Sequence, residues 1–89
     1  MSSKKCYKYK SKDIFEWRRR YPDGSYFLRG VIIRIDEEVY DDWYVYIVLE
    51  TNMFVHSNTG FFRVDSPMVR DSKKVGEMED WEMTLVMLR

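Results

Sequence analysis

The sequence predicts a mainly β domain with one short helix: a small antiparallel sheet or partly open barrel of four to five strands. Three observations carry that expectation. Residues 26–35 and 43–51 alternate at period two, with Phe27, Val31, Ile33, Ile35, Trp43, Val45, Ile47 and Leu49 at odd positions. Such alternation, rich in β-branched and aromatic residues, marks strands with one face on a core. Turn chemistry recurs at Asp23-Gly24 and at Ser57-Asn58-Thr59-Gly60, where Asn and Gly tolerate left-handed backbone. A chain of 89 residues with 45% hydrophobic and 17% aromatic content can build one modest core and does not read as disordered.

The basic segment 1–11 alternates Lys with Tyr at Tyr7, Lys8, Tyr9 and Lys10, behind Lys4 and Lys5. It reads either as an edge strand guarded by lysines or as a flexible arm whose lysines track phosphates while its tyrosines stack on bases. Residues 13–21 read as the short helix. Asp13 suits an N-cap, Glu16 falls three residues later, and Ile14, Trp17 and Tyr21 follow one helical stripe. Arg18, Arg19 and Arg20 then sit in a last turn, where cations complement the helix dipole. Pro22 disfavours helix at Tyr21 and Asp23-Gly24 turns the chain.

The central hairpin follows, joined by an acidic connection, residues 36–42, with five carboxylates. Its even face carries Tyr26, Leu28, Gly30, Ile32 and Arg34, then Tyr44, Tyr46, Val48 and Glu50. Tyrosine suits a half-wet surface, so this face calls for either a cover or a partner. Gly30 in mid-strand points to a bulge or a close backbone approach. A second hairpin is expected over residues 52–65, with Met53, Phe54, Val55 and His56 in its first strand. Residues 66–80 read as a mobile loop, with a short strand at Met68–Arg70. Residues 81–89 alternate Trp81, Met83, Leu85 and Met87 against Glu82, Thr84, Val86 and Leu88, which reads as a buried final strand with a nine-residue helix as its rival.

The net charge of zero conceals segregation. Residues 1–20 hold eight Lys/Arg against two Asp/Glu, whereas residues 30–89 hold six against twelve. That asymmetry indicates an electrostatic partner or a basic arm lying across the acidic tip.

Catalytic chemistry finds no footing. His56 is the only histidine, without a second ligand at zinc spacing or a positioned nucleophile. The acidic connection lacks the alternating oxygens and central glycine of a calcium loop. No phosphate-binding glycine loop or CxxC is present, so no cofactor, metal or catalytic residue is expected. No apolar run approaches the length of a membrane span. The lone Cys6 and an N-terminus with no hydrophobic segment behind it lead to the expectation of a cytoplasmic or other reducing intracellular setting.

Four strands or five with a short helix resemble SH3-like or OB-like small barrels, a likeness of shape that carries no function by itself. The leading expectation is a non-enzymatic interaction module for a protein partner, in the manner of small viral or phage accessory and inhibitor proteins. Its contacts are placed at Arg18, Arg19, Arg20, Tyr26, Arg34, Tyr44, Tyr46, Asp41 and Asp42. The alternative is single-stranded DNA or RNA binding by Lys4, Lys5, Tyr7, Lys8, Tyr9 and Lys10 together with the tyrosine face. A homo-oligomer joined through the even face of the hairpin is the remaining reading.

Overall fold

The computed structural model describes residues 6–88, which form five strands and two helices. In chain order these are β1 (Asp13–Tyr21), β2 (Gly24–Glu37), β3 (Asp42–Thr51), β4 (Thr59–Arg63), α1 (Pro67–Asp71), β5 (Lys73–Glu77) and α2 (Asp80–Met87). The mainly β expectation holds. All pairings are antiparallel, in one sheet of order β4-β3-β2-β1-β5. The first four strands form a meander, and α1, touching both β4 and β1, carries the chain to the far edge, where β5 pairs with β1. This order is compatible with a small partly open barrel.

The helix expected over residues 13–21 is instead β1. Ile14, Trp17 and Tyr21 fit a helical stripe, but Phe15 does not. In the sheet Phe15 and Trp17 point to one core and Ile14 to the other. A segment this short cannot hold a helix alone, whereas here it pairs residue by residue with β2, from Ile14 opposite Val31 to Tyr21 opposite Gly24. The capping potential of Asp13 is still used. Its carboxylate accepts the Lys10 N–H at 3.0 Å, closing a turn before the strand rather than starting a helix.

The central hairpin forms as expected, with its strands extended to 14 and 10 residues. Two irregularities, after Arg29 and after Ile32, shift the register between β2 and β3. They leave Leu28, Ile32, Tyr44 and Tyr46 on the same side as Ile35, and the simple odd–even split of the sequence breaks there. Residues 53–56 form no strand. β3 runs to Thr51, and the side chain of Asn52 takes the next place in the ladder, accepting the Phe27 N–H at 2.9 Å and donating to the Ser25 carbonyl at 2.8 Å.

Both faces of the sheet are covered. On the first, Phe15, Trp17, Leu28, Ile32, Tyr44 and Phe62 pack under Tyr9 of the N-terminal segment and Val69 of α1. On the second, Val31 and Ile47 pack under Met83 and Val86 of α2. The span 66–80, read from the sequence as a loop, contains α1 and β5, and Met68–Arg70 is helical rather than extended. Ser66 caps α1 by accepting the Val69 N–H, and Pro67 takes the first helical position, where its missing N–H is not needed.

The final segment is a helix, not a strand. The Glu79 N–H donates to Glu82 at 3.0 Å across the first turn, and Asp80 and Glu82 face the positive end of the helix dipole. The sheet edge that a strand there would need is already taken by β5.

Candidate functional site

The middle of the hairpin's even face, Leu28, Ile32 and Tyr44, lies in the core. Tyr44 is 0% exposed and Tyr9 only 2%. The Tyr44 hydroxyl accepts the Tyr9 N–H at 3.0 Å. Ser72 gives its single proton to the Val69 carbonyl, so it is the Tyr9 hydroxyl that donates to Ser72, at 2.6 Å. Tyr46 lies against Phe15, Phe62 and Gly60. Burial pushes the hydroxyls of Tyr9, Tyr44 and Tyr46 above the ordinary tyrosine range. Two expectations are corrected by this burial. Tyr44 faces the interior rather than a partner or a second copy, Tyr46 is half-buried with its ring against Phe15 and Phe62, and Tyr9 has no face open for base stacking.

The N-terminal residues are likewise committed to the fold. Lys8 donates to the Val69 and Ser72 carbonyls at the end of α1, a favourable place for a cation. Lys10 bridges Asp13 at 3.2 Å and Glu77 at 2.7 Å. Tyr7 donates to Asp42 at 2.9 Å, and desolvation, reinforced by that carboxylate, pushes its pKa up to about 12. The described arm therefore meets the acidic tip through a hydroxyl, not through its lysines. Lys4 and Lys5 lie outside the described residues.

Two carboxylates of the acidic tip are paired locally. Asp41 pairs with Arg63 at 2.9 Å, and Asp36 pairs with Arg34 at 2.8 Å. Val39 and Tyr40 stand almost fully exposed beside them. Among the described residues no group of three or more His, Cys, Asp or Glu side chains converges as metal ligands would.

Two surfaces remain. The first is the far end of the β1–β2 hairpin. β1 places Arg18 and Arg20 on one face and Arg19 on the other. Arg18 lies 5.0 Å over the Phe27 ring and reaches back to Glu16. Glu16 in turn meets Arg29 at 3.2 Å, and Arg29 meets Glu50 at 2.8 Å. Arg19 approaches Asp71 at 3.7 Å. Arg20 has no ion-pair partner among the described residues. Tyr21 and Tyr26 stack edge-on at 5.6 Å, and the Tyr26 hydroxyl donates to Asp23 at 2.7 Å. A cleft of about 270 Å³ opens here, lined by the three arginines with Tyr26, Phe27 and Asn52.

The second surface is α2, which the sequence reading did not single out. Its inner side buries Met83 and Val86, while Trp81, Leu85 and Leu88 are 65%, 60% and 77% exposed. Their spacing of four and then three residues places them on one outward stripe. Two signals were present in the sequence: Glu79 and Glu82 at capping-box spacing, and this stripe.

Comparison with protein-family models, curated proteins and solved structures finds no match. The geometry alone therefore carries the functional reading. Among the described residues no helix is long and apolar enough to cross a membrane.

The buried carboxylates lead to a first prediction. Burial alone would raise the pKa of Asp13, but the Lys10 N–H and the Lys74 and Lys10 ammonium groups outweigh it and hold it below the ordinary range. Glu16 is held low chiefly by Arg18, then by Arg29. A depressed folded pKa contributes stability above the unfolded value, near pH 4, that is lost as pH falls through the folded value. Urea midpoints should be flat from about pH 7 to about pH 5 and decline below about pH 4. Asp13→Asn should lessen that decline; an equally steep decline in the variant would remove Asp13 from the account.

Proposed function

We propose that this chain is a non-enzymatic protein-binding module that inserts α2 into an apolar groove of its partner. The observation that carries this reading is the exposed stripe of Trp81, Leu85 and Leu88. A helix on the surface of a sheet normally turns its polar side to water. This one is apolar on both sides, with the inner pair satisfied by Val31 and Ile47. Exposed apolar area of this kind supports a contact surface, and tryptophan leads the residue types that dominate binding energy. Anchors spaced four and three apart suit the helix-in-groove mode. Glu79, Asp80 and Glu82 at the head of the helix favour a groove with a basic rim. A module acting by occupancy alone fits an accessory or inhibitor role.

The single-stranded nucleic-acid alternative receives less support. Tyr9 and Tyr44 are inside the core, and Tyr7 is engaged by Asp42. Neutral net charge also works against a phosphate backbone.

The test is affinity capture from native-host lysate after nuclease treatment, comparing the natural chain with Trp81→Glu/Leu85→Glu. Both positions are exposed, so far-ultraviolet circular dichroism should not change. Proteins captured by the natural chain should be lost by the variant. A hot-spot tryptophan is worth at least ~2 kcal/mol, or about thirtyfold in Kd. Equal capture by both chains would sink this reading.

A further inference from the structure

We propose that an acidic, extended segment of a protein partner adds as a strand to the open edge of β1, pairing with Arg18 and Arg20. This rests on the reading of the chain as a protein-binding module but uses a surface separate from α2. β5 covers β1 only as far as Glu16, which pairs with Lys73. From residue 17 to residue 21 the strand pairs with β2 alone, and among the described residues no other backbone hydrogen bond reaches it.

The direction of the free groups follows from Asn52. Because Phe27 donates its N–H, and Ser25 offers its carbonyl, to that side chain, both residues face away from β1. Arg18 stands opposite Phe27 and Arg20 opposite Ser25. In an antiparallel ladder the residues of such a pair both turn their N–H and C=O outward. The open edge therefore presents two donors and two acceptors, at Arg18 and Arg20. The chain closes one edge of this hairpin with an asparagine side chain and leaves the other unpaired.

Charge selects the occupant. Pairing of this edge with a second copy of itself would set arginine against arginine, which is destabilising across strands. An acidic strand sets carboxylates against Arg18 and Arg20 on one face and Arg19 on the other. Asp71 already approaches Arg19, so the site holds one carboxylate of its own. A phosphate backbone would satisfy the N–H groups but has no donor for the outward carbonyls. A peptide backbone supplies both partners at the spacing of the ladder, as in strand addition to exposed sheet edges.

The probe is a short fluorescein-labelled peptide of alternating Glu and Val, titrated against the full chain by anisotropy at low and high salt. Saturable, salt-sensitive binding is expected, together with slowed hydrogen exchange at the Arg18 and Arg20 amides. Arg20→Glu should weaken binding by about tenfold, and Arg20→Lys should stay close to the natural chain. Arg20→Pro removes an outward donor without touching the β2 ladder, and should also weaken binding by about tenfold. If the proline variant misfolds, Arg20→Glu and the exchange data still decide. No binding at millimolar peptide, or binding with exchange at Arg18 and Arg20 unchanged, overturns the proposal. So does an oligothymidylate that binds in place of the peptide with the same sensitivity to Arg20. Trp81→Glu/Leu85→Glu should leave peptide binding intact; its loss there overturns the edge assignment, whereas lost lysate capture with peptide binding retained bears on α2 alone.

Discussion

Phe15→Ala is expected to remove a large part of the folding stability of this domain. Phe15 is fully buried, and its ring sits 6.0 Å from Tyr9, 5.3 Å from Tyr46 and 5.2 Å from Phe62. It thus joins the N-terminal segment, β3 and β4 in one aromatic cluster. Truncating a buried phenylalanine costs about 3–5 kcal/mol, because lost transfer energy adds to a cavity that stiff neighbours cannot fill. A domain of this size holds only about 4–13 kcal/mol in all. Thermal or urea denaturation should show a collapse of the midpoint, and near-ultraviolet dichroism from the tyrosines should weaken even where residual fold survives. A midpoint close to that of the natural chain would mean that the cluster is not the centre of the core.

Gly30→Ala is expected to be destabilising too, for the opposite reason. A Cβ at Gly30 would lie 2.9 Å from the Ile47 carbonyl oxygen and 2.9 Å from the Phe15 ring. One neighbour is backbone in the central hairpin and the other is the buried ring just described, so neither yields cheaply. Overpacking of this kind costs about 1–3 kcal/mol or more. The two sites should couple. Phe15→Leu in the Gly30→Ala background relieves the ring contact, so the double variant should be less destabilised than the sum of the singles by about 0.5–3 kcal/mol. Simple additivity would show that the close approach does not set the cost.

These positions also show where sequence reasoning reached and where it stopped. Gly30 was legible, because a glycine amid alternating aliphatics has few other uses, and the register of β2 against β3 does shift beside it. The turn at Asp23 and the acidic connection were legible through residue chemistry that needs no distant partner. β1 was not. Ile14, Trp17 and Tyr21 fit a helical period while Phe15 and Trp17 fit an extended one over so few residues, and the choice came from β2 and β5 on either side. α2 failed in the reverse direction. Residues alternating over 81–88 also fit a helix apolar all round, and the edge needed for a strand was occupied.

The candidate sites divide in the same way. Arg18, Arg19 and Arg20 stood out as a charge cluster, but only their strand pairing turns the cluster into an open edge. The tyrosines of the even face looked like contact residues because tyrosine suits wet surfaces; Tyr9 and Tyr44 instead satisfy their polar needs within a covered core, and the half-buried Tyr46 packs its ring against it.

By itself the sequence determined the class of fold, the long central hairpin and its acidic end, because alternation and turn chemistry are properties of neighbouring residues. Tertiary structure alone decided which face of that hairpin became the interior, which short segment became helix, and which apolar stripe stayed in water. Those outcomes depend on what packs across the sheet, and contacts between residues far apart in the chain leave no local pattern to read.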